Sequence, residues 1–108
     1  MQLGREVLFA VERFNDGFDD TVVIQGELDM ATCPVVSSCI ESIIAEGATR
    51  IVFDFAAVTF MDVRGISLLI RAKYSLNGDA QVVIRHPAPM VRRILRITRV
   101  DNIMTIED

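Results

Sequence analysis

The sequence predicts an α/β domain on a mixed, mostly parallel sheet, with an N-terminal hairpin and helices packed against it. Three observations carry this. Strand-like and helix-like segments alternate along most of the chain, the pattern of parallel strands joined by crossover helices. Ahead of that alternation, two strand-like segments flank a turn cluster containing an Asp-Gly pair, which reads as an antiparallel hairpin. The length, 108 residues, suits a single domain spanning residues 1–108, with room for one apolar layer between helices and sheet.

The elements follow in order ββαβαβα, with a weak closing strand. Residues 6–14 alternate, Val7, Phe9 and Val11 against Leu8, Ala10 and Glu12, and read as a strand. Residues 15–20 form the turn, and 21–26 the second strand. Thr32 or Asp29 caps the first helix, Pro34 lies in its first turn, and Val36, Ile40, Ile43 and Ile44 form its buried stripe before Gly47 stops it. The β-branched and aromatic run 50–55 reads as a central strand buried on both faces. Ala56 and Ala57 relax that strand, and residues 58–61 lead to a cap at Asp62. The second helix covers about 63–76, with Ile66, Leu69, Ile70 and Tyr74 inward, and Asn77-Gly78-Asp79 ends it. Residues 81–85 form another strand. Pro87 and Pro89 bracket the start of a third helix with Met90, Ile94 and Ile97 toward the core, together with Val91 or Leu95; residues 103–106 close the sheet.

Composition narrows the function. Half of the residues are hydrophobic and about a quarter charged, as in an ordered globular chain, and no apolar run approaches the roughly 18 residues of a membrane span. The first six residues lack the basic-then-apolar pattern of a secretion signal, so a cytoplasmic protein is expected. A net charge of −4 argues against direct nucleic-acid binding. Cys33 and Cys39 fall six residues apart in one helix, roughly 9 Å along its axis and on different faces, so they read as free thiols. No cofactor is expected. One histidine completes no zinc site, and Asp29, Asp54 and Asp62 make a weak Mg²⁺ set. No glycine-rich phosphate loop or nucleophile elbow is present, and His86 reads as a loop residue, so an enzyme is not expected. Arg92, Arg96 and Arg99 share a stripe of the third helix, read as a solvated face.

The most informative stretch runs from Phe53 to Ile66. It reads as a buried strand, a turn, an acidic cap and an apolar helix, which sets Asp62 and the first helical N–H groups at the rim of the sheet, where open α/β sheets do their recognition. Arg64 opposes the positive end of the helix dipole, at a cost of roughly 0.3–1 kcal/mol, and Gly65 permits close packing or the close approach of a ligand. A residue that works against local stability points to a partner.

Three segments together resemble the STAS domain of the anti-sigma factor antagonist family. Gly26-Glu27-Leu28-Asp29 is similar to the family's Gly-Glu-Leu/Ile-Asp. Val58-Thr59-Phe60-Met61-Asp62 followed by Gly65 is similar to its Val-Thr-Phe-Met/Leu-Asp-Ser-Ser-Gly, and Pro89 to Leu95 looks like its third-helix segment. The resemblance covers nearly the whole chain. It implies a non-enzymatic binding module, monomeric or weakly dimeric, that docks on an anti-sigma factor, in many members also a serine kinase, and thereby frees a sigma factor. The kinase phosphorylates the serine just before the signature glycine, and the charge that arrives breaks the interface. Here Val63 and Arg64 replace the two serines, so the family position cannot be phosphorylated; Arg99 replaces the usual glycine in the family's Leu-Thr-Gly segment of the third helix. The docking surface implied is Asp29, Met30 and Thr32 with Asp62, Val63, Arg64, Gly65 and Ser67, and Ser67 and Thr59 are nearby hydroxyls. Two other readings are an accessory subunit of an ABC lipid transporter and a nucleotide-sensing module with a phosphate at the helix N-terminus near Arg64.

Overall fold

The computed structural model of the chain describes residues 8–76 and 80–108. Its elements are β1 (Phe9–Asn15), β2 (Asp20–Leu28), α1 (Cys33–Ala45), β3 (Arg50–Met61), α2 (Val63–Ser75), β4 (Gln81–Arg85), α3 (Pro89–Ile97), a 3₁₀ turn (Val100–Asn102) and β5 (Thr105–Glu107). The strands lie in chain order, β1-β2-β3-β4-β5; β1 runs antiparallel to β2, and every later pair is parallel. The expected mixed sheet with its hairpin is therefore present. Glu6 and Val7 of the expected first strand, and the expected stop at Asn77-Gly78-Asp79, lie outside the described residues.

Paired residues on neighbouring strands share a face. Phe53 pairs with Val22 on one side and Ile84 on the other, and Ile51 with Val82. These join Val36, Ile40 and Ile43 of α1, Leu68, Leu69 and Ala72 of α2, and Val91 and Leu95 of α3 in one continuous core. All three helices thus cover the same face, as right-handed crossovers through strands in chain order require. Phe53 and Phe55 meet edge to face, 6.2 Å between ring centres, the arrangement that aromatic quadrupoles favour. On the opposite face Val52 and Val83 are also buried, outside that core. Their neighbours along that face are charged or polar: Arg50 donates to Gln81 (3.0 Å) and pairs with Asp19 (3.2 Å), and Arg85 donates to Glu107 (3.1 Å). Among the described residues no helix lies there.

Several expectations are corrected. β3 does not relax at Ala56 and Ala57 but runs unbroken to Met61, because β2 continues beside it to Leu28 through two register irregularities. The central strand is sealed on both faces only from Ile51 to Phe53; Asp54 is half-buried. Tyr74 is exposed rather than inward. In α3, Val91 and Leu95 are buried in the core and Ile94 packs half-buried against it as expected, while Met90 and Ile97 are exposed. A helix that starts at Pro89 and spans nine residues has one narrow inward stripe, which Val91 and Leu95, four apart, fill with Ile94 at its edge. Arg99 lies past the helix end in a left-handed conformation (φ 62°), so it does not share the helix stripe, and the last strand begins at Thr105. No helix among the described residues is long and apolar enough to cross a membrane.

Candidate functional site

The ends of β2 and β3 come together at one rim of the sheet. Leu28 pairs with Met61, and the Asp62 N–H donates to the Leu28 carbonyl at 3.3 Å. From that point each strand turns into a helix, so the loop before α1 and the first turn of α2 are neighbours. The Asp29 carboxylate accepts from the N–H groups of Ala31 (2.9 Å) and Thr32 (3.2 Å), and its carbonyl from Cys33 (2.9 Å). Thr32, one of the two expected caps, makes no side-chain cap to α1; its hydroxyl donates back to the Glu27 carbonyl at 2.6 Å. Asp29 therefore shapes the entry to α1 and Thr32 ties that loop to β2.

Asp62 caps α2 as expected. Its Oδ1 accepts from the Arg64 N–H at 2.8 Å and the Gly65 N–H at 3.4 Å, which satisfies two of the donors a helix start leaves open. Arg64 folds toward the same carboxylate, Nη1 to Oδ2 3.7 Å, with 54% of its side chain exposed. The carboxylate lies beside both the helix end and the cation, which softens the unfavourable placement of Arg64. Gly65 is buried, and its role is packing: a Cβ there would overlap Met61 Cγ and lie 3.0 Å from Met61 Sδ and 3.3 Å from Leu28 Cδ2. Only glycine lets this turn sit so close to the ends of β2 and β3.

Beyond the rim, α1 and α2 border a groove of about 590 Å³ lined by Met30, Cys33, Pro34, Ser37, Arg64, Ser67, Leu68 and Arg71. Of the expected docking residues, Met30, Arg64 and Ser67 line it. Val63 is exposed beside it, Asp29, Thr32 and Asp62 are half-buried supports of its rim, and Gly65 is beneath the surface. Thr59 is exposed on β3. The sequence reading missed Cys33, Pro34, Ser37, Leu68 and Arg71. Helical spacing was the available signal: Leu68 and Arg71 follow Arg64 by four and seven residues, and Ser37 follows Cys33 by four.

The two cysteines are free and half-buried. Burial pushes the Cys33 thiol up first, and the carboxylates of Asp62 and then Asp29 push it further, against Arg64 and Arg71. A thiol so placed is a weak nucleophile. Asp54 does not join Asp29 and Asp62: it lies within β3, its carboxylate accepting from the Ala56 N–H at 3.0 Å. No cluster of three or more His, Cys, Asp or Glu side chains suited to a metal occurs among the described residues. His86 is exposed at the end of β4, with φ 57° and its N–H donating to the Glu107 carbonyl at 2.8 Å. The rim and groove thus present apolar side chains, hydroxyls and guanidinium groups.

Comparison with known proteins agrees with this architecture. The profile of the STAS domain matches residues 14–108. An anti-sigma factor antagonist from Mycobacterium paratuberculosis superposes with a TM-score of 0.86 at 22% identity, covering 92% of this chain and 85% of that one. SpoIIAA, an anti-sigma factor antagonist solved in its unphosphorylated form, gives a TM-score of 0.79 at 22% identity over 90% of this chain and 87% of that one. The phosphorylated form of SpoIIAA, a Bacillus cell fate determinant, gives 0.70 at 22% identity over 91% and 89%. No curated protein matches the sequence. A family profile spanning all but the first strand region, together with the five-stranded sheet and its three helices, leads to one assignment: the chain belongs to the STAS domain family.

Proposed function

We propose that this chain is a protein-docking regulator of the anti-sigma factor antagonist type, acting in the cytoplasm without catalysis, and that its docking is not switched by phosphorylation at the family position. The observation that carries the reading is the placement of Arg64. In the signature that ends β3, it stands where the resemblance puts the phosphorylated serine, half-exposed at the mouth of a groove shared with Met30 and Ser67. A permanent cation there holds the charge of the surface constant, whereas a serine would let a kinase reverse it. The supporting residues, Asp29, Asp62 and Gly65, are engaged in shaping the rim, so a partner is met chiefly by Met30, Val63, Arg64 and Ser67.

The test is binding of purified anti-sigma factors from the host to the protein and to Arg64→Glu, by calorimetry. Charge reversal is expected to weaken docking by about 1–3 kcal/mol. Stability should change little: the better match to the helix dipole offsets the new repulsion from Asp62, each within about 1 kcal/mol. Equal affinity of both proteins would place the docking surface elsewhere. Incubation of the protein with a binding kinase and ATP should add no phosphate between residues 59 and 67, read by intact and peptide mass, and a gain there would end the constitutive reading.

A further inference from the structure

We propose that the groove between α1 and α2 receives an acidic segment of the protein partner, with carboxylates on Arg64 and Arg71 and an aliphatic side chain against Met30, Pro34 and Leu68. This rests on the docking reading above and names the chemistry of the partner.

Charge complementarity carries it. The chain is acidic overall, at −4, yet among the described residues the only charged ones lining this groove are arginines. Arg71 is exposed and forms no ion pair among the described residues. Among the described residues Arg64 reaches only Asp62, at 3.7 Å, and that carboxylate already holds the N–H groups of Arg64 and Gly65 through its other oxygen. Both guanidinium groups therefore have donors to spare, and a guanidinium fork fits a carboxylate. Arg64, Ser67 and Arg71 lie on one stripe of α2, with Ser37 across the groove, so hydroxyl donors stand between and opposite the two cations. The arginine positions are separated by seven residues, roughly 10 Å along the helix. Two carboxylates three residues apart in a polyproline-II segment, with three residues per turn, lie on one side and span roughly 9 Å.

The groove also has an orientation. It continues along α1 and α2 past Arg71 to Glu41, which borders the next hollow with Ile40, Ile44 and Ala72. A carboxylate on Glu41 repels an acidic chain, so the acidic stretch ends at Arg71 and residues that continue toward Ile44 are apolar. Met30, 65% exposed, and the buried Leu68 supply the apolar floor and wall between.

The test uses nitrogen-15-labelled full-length protein titrated with two blocked tetrapeptides, Glu-Leu-Ala-Glu and Lys-Leu-Ala-Lys. The acidic peptide is expected to shift the amides of Met30, Ser37, Arg64, Ser67 and Arg71 saturably, and the basic one to leave them in place. Affinity should fall as salt rises from about 0.05 to 0.5 M, since exposed charge pairs are screened. The double variant Arg64→Gln, Arg71→Gln should bind roughly tenfold more weakly with an unchanged unfolding midpoint, both side chains being exposed. No shift with the acidic peptide, equal shifts with both, or undiminished binding by the variant would overturn the proposal. The docking reading fails separately: if no purified anti-sigma factor binds while the acidic peptide does, the groove chemistry stands and the assignment of partner falls. If an anti-sigma factor binds the protein and the double variant alike at all salt concentrations, docking stands and the acidic groove falls.

Discussion

Replacing Gly65 by alanine tests how closely α2 is seated on the sheet. In a helix alanine is favoured over glycine by about 1 kcal/mol, so a loosely packed site would be stabilised by the change. At this site the added methyl overlaps Met61 Cγ and comes within 3.3 Å of Leu28 Cδ2. Met61 and Leu28 are both fully buried, and Cγ is the middle of the methionine side chain, not its mobile end. Relief requires either an altered Met61 rotamer or a lift of the first turn of α2, and overpacking of this kind costs about 1–3 kcal/mol. The balance is a net loss of up to about 2 kcal/mol, where each kcal/mol lowers the unfolding temperature of a domain of this size by about 4–8 °C. Urea unfolding of the single variant and of the cycle with Met61→Ala reads it out. Met61→Ala alone should cost about 2–5 kcal/mol, but in that background Gly65→Ala should become neutral or stabilising, because the overlapping atom is gone. A stabilised Gly65→Ala in the wild-type background, or the same cost in both backgrounds, would refute the packing argument.

Three further outcomes are expected. Leu69→Ala removes a fully buried side chain from the α2 stripe and should cost roughly 2–5 kcal/mol in urea unfolding. Arg13 donates to both oxygens of Glu46 (2.8 and 3.1 Å) and holds its carboxyl below the usual carboxylate range. A group whose folded pKa is depressed lends stability above its unfolded pKa and loses it as pH falls through the folded value. The stability advantage of the wild type over Glu46→Gln should therefore be present at neutral pH and vanish on acidification, in paired denaturation curves. Asp62→Asn keeps a capping side chain but removes a charge that raises the Cys33 thiol, so Cys33 should react faster with a disulfide reagent at mildly alkaline pH. Cys39, raised by its own burial and not by Asp62, should keep its rate when each thiol is followed in the serine variant of the other.

The cap at Asp62 was readable because local hydrogen-bond chemistry decides it: a short acidic side chain before an apolar helical repeat has few other uses. The hairpin and the stripe of α1 were readable for the same reason, as periodicity records which face is buried, whereas in α2 Ile66 and Leu69 were found and the buried Leu68 and Ala72 were not. The assignment of Met90, Ile97 and Tyr74 to the core failed because apolar character alone does not say which phase of a short helix meets the sheet. α3 has room for one inward stripe, and the crossover from β4 to β5 sets it to Val91 and Leu95. Gly65 was legible as a special position and illegible as to purpose, since only the positions of Met61 and Leu28 distinguish packing from ligand approach. Arg71 was invisible as a site residue because its significance depends on α1 lying across from it.

Taken alone, the chain determined its alternation of strands and helices, the parallel sheet with one antiparallel edge, the capped turn at Asp62 and the unusual cation at Arg64. Each of these is encoded within a few residues, by side-chain alternation, turn residues and helix-end chemistry. The tertiary structure decided that all three helices share one face, that β3 runs unbroken to the rim, and that Met30 and Ser37 from one segment meet Arg64 and Arg71 from another across a single groove. Those outcomes depend on distant segments packing together, and helix-against-helix placement is set by the fit of the whole core, which no local window contains.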